Sequence, residues 1–200
     1  MSRALVTDPQ LPGGGSTGGC GCYRQQAPGL ADQVCNVAAV HYEPTGRDTT
    51  ADRAIIAEIV RTFFAAFTSG PGAVARLDTL RSVFLPDAVI VRTGGGELAV
   101  CGLDSFINPR QALLSRGTLV GFTEWELRGR TEVFGDIAQH FGSYAKAGVL
   151  DGTPFTGRGM KTLQFVRTPD GWRISAAAWD DERDGLTIDT EWLTSPQVTP

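Results

Sequence analysis

Histidine is nearly missing from this chain. Of 200 residues only two are histidine, His41 and His140. Histidine is the side chain whose ordinary pKa lies closest to neutrality, so there are few places to look for acid–base chemistry at neutral pH. Excess positive charge is missing too. The net charge is −4 and the sequence pI is near 5.2, which leaves no electrostatic footprint for nucleic acid. No apolar run approaches the ~18 residues that a membrane-spanning helix needs, so no membrane partner is expected. The opening "MSRALVTDPQLPGGG" has no apolar core of a secretory signal. The chain therefore reads as cytoplasmic, with reduced cysteines. A phosphate-cradling glycine motif between a strand and a helix is lacking as well. The "GGG" at 94–96 lies between two strands and reads as a turn. No organic cofactor and no metal are expected.

Cysteine is scarce in the body of the chain. Three of the four, Cys20, Cys22 and Cys35, lie in the first 48 residues together with His41. Cys and His are the ligands of tetrahedral zinc, but structural sites leave two to four residues between paired cysteines. Only one residue separates Cys20 from Cys22, so these thiols read as part of a loose segment. Cys101, in an apolar strand, reads as a small core residue.

What is present is one domain between two tails. Residues 1–48, with "LPGGGSTGGCGCY", show no period of 2 or 3.6 and read as a flexible Gly-rich leader. Residues 49–185 carry the periodic segments, and 186–200 read as a C-terminal tail in which Trp192 and Leu193 can dock. Hydrophobic residues make up 42% and charged residues 20%, enough for a core. A helix starts near Thr49, with Asp52 in its first turn. Ile55, Ile56, Ile59, Val60, Phe63, Phe64 and Phe67 recur at helical spacing, and "SGPG" ends the run. A shorter helix carries Leu77, Leu80, Val83 and Phe84. "AVIVRT" and "ELAVCG" read as strands, and "LDSFINPRQALLSRG" as a third helix, broken at Pro109 or not. Residues 119–134 with 137–149, and 158–168 with 172–181, read as long hairpins. Helices followed by antiparallel strands indicate the α+β class.

In "FTEWELRGRTEVF" the residues alternate. Glu124, Glu126, Arg128, Arg130 and Glu132 fall on one face; Trp125, Leu127, Gly129, Thr131 and Val133 fall on the other, which must be covered. A two-residue turn at Gly135–Asp136 pairs Val133 with Ala138, Thr131 with His140, Gly129 with Gly142 and Leu127 with Tyr144. Opposed residues share a face, so His140 and Tyr144 point inward beside Trp125 and Thr131. A slip of one residue would instead bury Gln139, Phe141 and Ser143. In the last hairpin, Leu163 and Phe165 share a face with Ile174, Ala176, Ala178 and Asp180. A carboxylate there can orient an imidazolium at His140, or it can simply mark the wet end of a strand.

The order of elements, with "FFAAFTSG", "FLPDAVIV", "GLDSFI" and "GRGMKTLQFVRTPDGWRISAAAWDDER", resembles the nuclear transport factor 2-like superfamily and its SnoaL-like domains over residues 50–185. The resemblance implies helices packed in the concave face of a strongly bent sheet, forming a cone with an apolar pocket. Members include isomerases, cyclases, dehydratases and modules without chemistry, and many dimerise through the open sheet face. The ketosteroid isomerase arrangement does not transfer, because Phe63, Phe64 and Phe67 stand where its catalytic Tyr would be sought. Two functions follow as expectations. The first is a cofactor-independent enzyme acting on a small hydrophobic carbonyl compound. His140 would be its general acid or base, Asp180 the orienting partner and Tyr144 a donor to developing negative charge. Trp125, Phe106, Thr131 and Phe165 would line the substrate, and Arg92 would reach an anionic group or face water. The second is a non-catalytic ligand-binding or homodimerising module.

Overall fold

The structure, a computed structural model, describes residues 49–94 and 98–193. The expected leader with its three cysteines and His41 lies outside the described residues, as do Gly95 and Gly96 of the expected turn. The elements are α1 (Thr49–Ala65), α2 (Ala73–Asp78), α3 (Leu80–Val83), β1 (Phe84–Arg92), β2 (Ala99–Cys101), α4 (Leu103–Ser115), β3 (Leu119–Phe134), β4 (Ile137–Leu150), β5 (Thr153–Thr168) and β6 (Gly171–Asp181). A short 3-10 turn follows at Thr190–Trp192. No described helix is long and apolar enough to cross a membrane.

All six strands form one mixed sheet in the order β2-β1-β6-β5-β4-β3. Only β1 and β6 run parallel. β1 enters the sheet through Pro86, a residue that cannot donate to a ladder, and the β1–β6 register shifts there, between Phe84 and Val89. Pro109 lies inside α4 and does not divide it.

One face of the sheet is covered by helices. The α1 stripe of Ile56, Val60, Phe63 and Phe64 is buried against it, as expected from the spacing, while Ile55 of the same run faces outward at 48% exposure. Leu77 and Leu80 of the short helices, Phe106 and Ile107 of α4, and Leu163, Phe165, Trp172 and Ile174 of the last hairpin complete the core. Burying one such side chain stabilises the fold by about 1.5–3 kcal/mol. The start of α1 is tied down by a buried polar group. Asp52 accepts a hydrogen bond from Trp172 Nε1 at 3.2 Å and pairs with Arg167, which also reaches Asp136 at 3.1 Å. The acid expected to serve the helix N-terminus thus serves as a tertiary anchor.

Two of the three long hairpins, β3–β4 and β5–β6, carry bulges, and these set which side chains face the helices. Between Val120 and Thr123, and again between Glu126 and Arg128, β3 has one more residue than β4. In β6 one extra residue, Ser175, lies between Ile174 and Ala176. Side chains alternate with period two, so one extra residue exchanges the two faces beyond it. The backbone of Phe122 at the first bulge, cut off from the ladder, is paired in both directions with Ser69: Phe122 N–H donates to Ser69 Oγ, and Ser69 N–H donates to Phe122 O.

Candidate functional site

The hairpin at Gly135–Asp136 closes as the sequence predicts. Val133 pairs with Ala138, Thr131 with His140 and Gly129 with Gly142. His140 faces the helices and is 7% exposed, while Gln139 and Phe141 face outward. The alternative register does not occur.

Four rows of paired residues cross the helix-covered face. The first runs Thr131, His140, Leu163, Ala177; the second Gly129, Gly142, Lys161, Trp179. The third runs Glu126, Tyr144, Gly159, Asp181, and the fourth Glu124, Lys146, Gly157. The bulge at Leu127 brings Glu124 and Glu126 onto this face, where alternation alone predicts Trp125 and Leu127. Trp125 is turned to the outer face at 41% exposure, so it does not line the site, and Tyr144 is opposed by Glu126, not Leu127. The bulge at Ser175 likewise exchanges Ala176, Ala178 and Asp180 for Ala177, Trp179 and Asp181. Asp180 points away and pairs with Arg183. It lies three residues beyond the His140 row and on the other face, so it is not the imidazole's partner.

That partner is Glu126. His140 Nε2 lies 2.6 Å from Glu126 Oε1, and Nδ1 lies 2.9 Å from Thr131 Oγ1. An ionised carboxylate can only accept, so Nε2 carries a proton and donates it. The Gly129–Gly142 pair makes room for this contact. A Cβ on Gly129 would lie 2.0 Å from Glu126 Oε1 and 2.3 Å from His140 Cε1; one on Gly142 would lie 3.0 Å from the same oxygen.

A second polar group lies beside the first. Tyr144 donates its hydroxyl to Asp181 Oδ1 at 2.6 Å, and the Lys146 ammonium reaches the same carboxylate at 2.9 Å. Gly159 lets Tyr144 lie flat over the strand, since a Cβ there would meet the hydroxyl at 2.5 Å. Lys161 pairs with Glu124, and its Nζ is surrounded by rings. The centroids of Tyr144, Phe63, Phe64, Phe67 and Trp179 are 4.4, 4.7, 5.0, 5.5 and 5.6 Å away. Burial pushes the Lys161 amine below the ordinary lysine pKa; Glu124 opposes the shift and the nearby Lys146 charge adds to it. Among the described residues, no three His, Cys, Asp or Glu side chains are placed to hold a metal ion.

The remaining expected residues divide. Phe106 packs edge-on against Phe67 and Trp179, with Arg110 stacked 3.9 Å over its ring. Phe165 is buried between Ala138 and Ile174, one row beyond His140. Arg92 is half-buried and extends the Lys161 row beyond Trp179. Cys101 lies opposite Ile90 and packs against the core. Ser143 is buried on the outer face, where its hydroxyl donates to Trp192 O, and Trp192 packs edge-on against Phe141 at 5.2 Å. Part of the expected tail thus docks on the outer face of the sheet. Sequence reasoning missed Glu124, Glu126, Lys146, Lys161 and Asp181. A signal was available for two of them: of eighteen Lys and Arg residues only Lys146 and Lys161 are lysines, and both are on this face.

The sequence matches no protein-family model and no curated protein. Its structure is similar to solved ones. A protein from Kribbella flavida is 20% identical, with 68% of this chain and 94% of that one covered and a TM-score of 0.57. A nuclear transport factor 2-like superfamily protein from Salmonella enterica is 15% identical, covering 71% and 99%, at 0.55. A hexachlorocyclohexane dehydrochlorinase from Novosphingobium barchaimii is 18% identical, covering 70% and 96%, at 0.54. Three helical segments ahead of a mixed six-stranded sheet, with α1 buried across its covered face, match structures of this kind over two thirds of the chain, and the chain carries the nuclear transport factor 2-like α+β fold.

Proposed function

We propose that the chain binds a small hydrophobic molecule on the helix-covered face and moves a proton to or from it with the Glu126–His140 couple, without a cofactor. The observation that carries this reading is the 2.6 Å contact between His140 Nε2 and Glu126 Oε1, with Thr131 on the other ring nitrogen. The ring is held at both nitrogens, and its side chain is 8% exposed against 31% for Glu126. Glu126 is therefore the group that a substrate meets, and His140 orients it and shares its charge. Tyr144, expected as a donor to substrate, donates to Asp181, so the Lys146 ammonium beside that carboxylate supplies the positive side of the site. Phe106, Phe165 and Trp179 supply apolar wall, and Arg92 extends the same row. The reaction class that fits is proton abstraction next to a carbonyl, as in an isomerase, cyclase or dehydratase. A hexachlorocyclohexane dehydrochlorinase is among the solved structures that share this fold.

A second reading, a ligand-binding or dimerising module without chemistry, is favoured by the closure of the network. Each charged group of the site has a partner within the chain. Trp125 and Phe141, 41% and 42% exposed on the outer face, would be covered in a homodimer. The readings separate in heavy water. A panel of apolar ketones is followed by NMR for exchange of the hydrogens next to the carbonyl. Exchange by the wild type that Glu126→Gln lowers by about 100-fold or more, within the usual range for a positioned proton carrier, supports the enzyme. A ketone that raises thermal stability equally in both chains, with no exchange in either, supports the module.

A further inference from the structure

Lysine usage in this chain is uneven in a way that electrostatics does not explain. Of eighteen basic residues only two are lysines, so arginine is the ordinary cation of the surface. Both lysines are buried on the helix-covered face, Lys146 at 7% and Lys161 at 5% exposure. Arginine is the better partner for a buried carboxylate: it forks, is weakly hydrated and keeps its charge. A buried ion pair is in any case weak evidence for stability, because desolvation offsets its attraction. An amine has one property that a guanidinium lacks. It can lose its proton and present a lone pair.

The surroundings of Lys161 favour that loss. Lys161 is 5% exposed, and removal from water disfavours the charged form, against the attraction that the five ring faces within 5.6 Å exert on an ammonium. Its polar partner, Glu124, is a carboxylate that can take the ammonium proton. Trp179, with its ring centroid 5.6 Å from Nζ, is partly exposed, and its ring meets Phe106 edge-on at 5.8 Å. The walls around the amine are therefore apolar and aromatic.

We propose that Lys161 is an amine nucleophile that condenses with the carbonyl group of a small apolar aldehyde or ketone to form an imine, with Glu124 as its proton carrier. Glu124 takes one proton from the ammonium. The neutral amine attacks the carbonyl carbon; a C–N bond forms and the π electrons move to oxygen. That oxygen takes the proton that the attacking nitrogen sheds and gives a neutral carbinolamine. Glu124 delivers a proton to the hydroxyl, the nitrogen lone pair forms the C=N bond, the C–O bond breaks and one water leaves. Carbonyl compound and ammonium become protonated imine and water, Glu124 is a carboxylate again, and no oxidant or reductant is needed. The apolar walls favour the dehydrated product. This inference shares with the proposed function only the premise that a small molecule reaches the helix-covered face; it does not depend on Glu126.

The test is reductive trapping on the full chain, with benzaldehyde as probe and cyanoborohydride as reductant, read by intact mass and peptide mapping. The background is low, because the only competing amines are Lys146 and the terminal amine. At pH 7 the terminal amine, with a pKa of about 7.7–8.0, is ordinarily the most reactive of these. The expected result is a single benzyl adduct on Lys161, formed about tenfold faster than on the terminal amine, at a rate that levels off below the ordinary lysine value of ~10.5. Glu124→Gln slows it. An adduct on the terminal amine alone, or labelling of Lys161 that climbs with pH as a free lysine does, overturns the proposal. Trapping is read on the wild type and requires no turnover, so it fails or succeeds independently of the proton-exchange assay.

Discussion

Adding one methyl group at Gly129 tests the geometry of the site without removing any of its polar atoms. In Gly129→Ala the new Cβ would lie 2.0 Å from Glu126 Oε1 and 2.3 and 2.5 Å from His140 Cε1 and Nε2. Ordinary contacts to carbon are about 3.5–4.0 Å, so carboxylate and ring must both move by more than 1 Å. The ring cannot turn aside while Nδ1 keeps Thr131 at 2.9 Å. Overpacking costs about 1–3 kcal/mol, and a buried Nε2–H without its acceptor costs about 1–3 kcal/mol more. Alanine recovers roughly 0.5–1 kcal/mol over glycine in a strand. The net expectation is a loss of about 2–4 kcal/mol, or roughly 4–16 °C in Tm for a chain of this size. Urea denaturation with circular dichroism measures it, and the His140 ring resonances report the broken contact. Gly102→Ala is the comparison: its φ is −85° and nothing lies within 4 Å, so it should lose only glycine's advantage over alanine at the N-cap of α4, about 0.5–1 kcal/mol. If Gly129→Ala is as stable as Gly102→Ala and the His140 resonances do not move, Glu126 does not occupy the space above Gly129, and the proposed couple is wrong.

Two further outcomes follow from the buried charges. Asp52→Ala orphans Trp172 Nε1–H and removes one of the two carboxylates on Arg167. A loss of about 3 kcal/mol is expected, at the lower end for a broken buried pair, because Asp136 remains; a loss under about 1 kcal/mol in urea would show that α1 is not anchored there. For Lys161, burial holds the amine below the ordinary lysine value of 10.5, so the folded chain releases this proton at lower pH than the unfolded chain. Between those two values the unfolded chain binds more protons, and stability rises with pH. The stability difference between wild type and Lys161→Met should therefore shift in favour of wild type as pH approaches 10.5. A difference independent of pH over that range would mean that the amine is not desolvated.

The amphipathic stripe of α1, the Gly135–Asp136 turn and the pairing that turns His140 inward were legible in the sequence, because each rests on contacts between near neighbours in the chain, and the structure chose that register over the one-residue slip. Helical spacing places Ile56, Val60 and Phe63 together, and a two-residue turn leaves one pairing for Thr131 and His140. The glycine pair at 129 and 142 was legible for the same reason. Which carboxylates reach the site was decided only by the tertiary structure. Leu127 and Ser175 are the extra residues of two bulges, and neither differs in polarity or shape from an ordinary strand residue. With period-two alternation, each bulge reverses every side chain beyond it. The exchange replaced Trp125 and Asp180 by Glu126 and Asp181. The bulges stand where the covered face has room for them: Gly129 and Gly142 leave the volume that the Glu126 carboxylate fills, and Gly159 leaves the volume under the Tyr144 hydroxyl that reaches Asp181. That volume is shared among β3, β4, β5 and β6, strands up to some sixty residues apart in the chain, so alternation within one strand carries no trace of it.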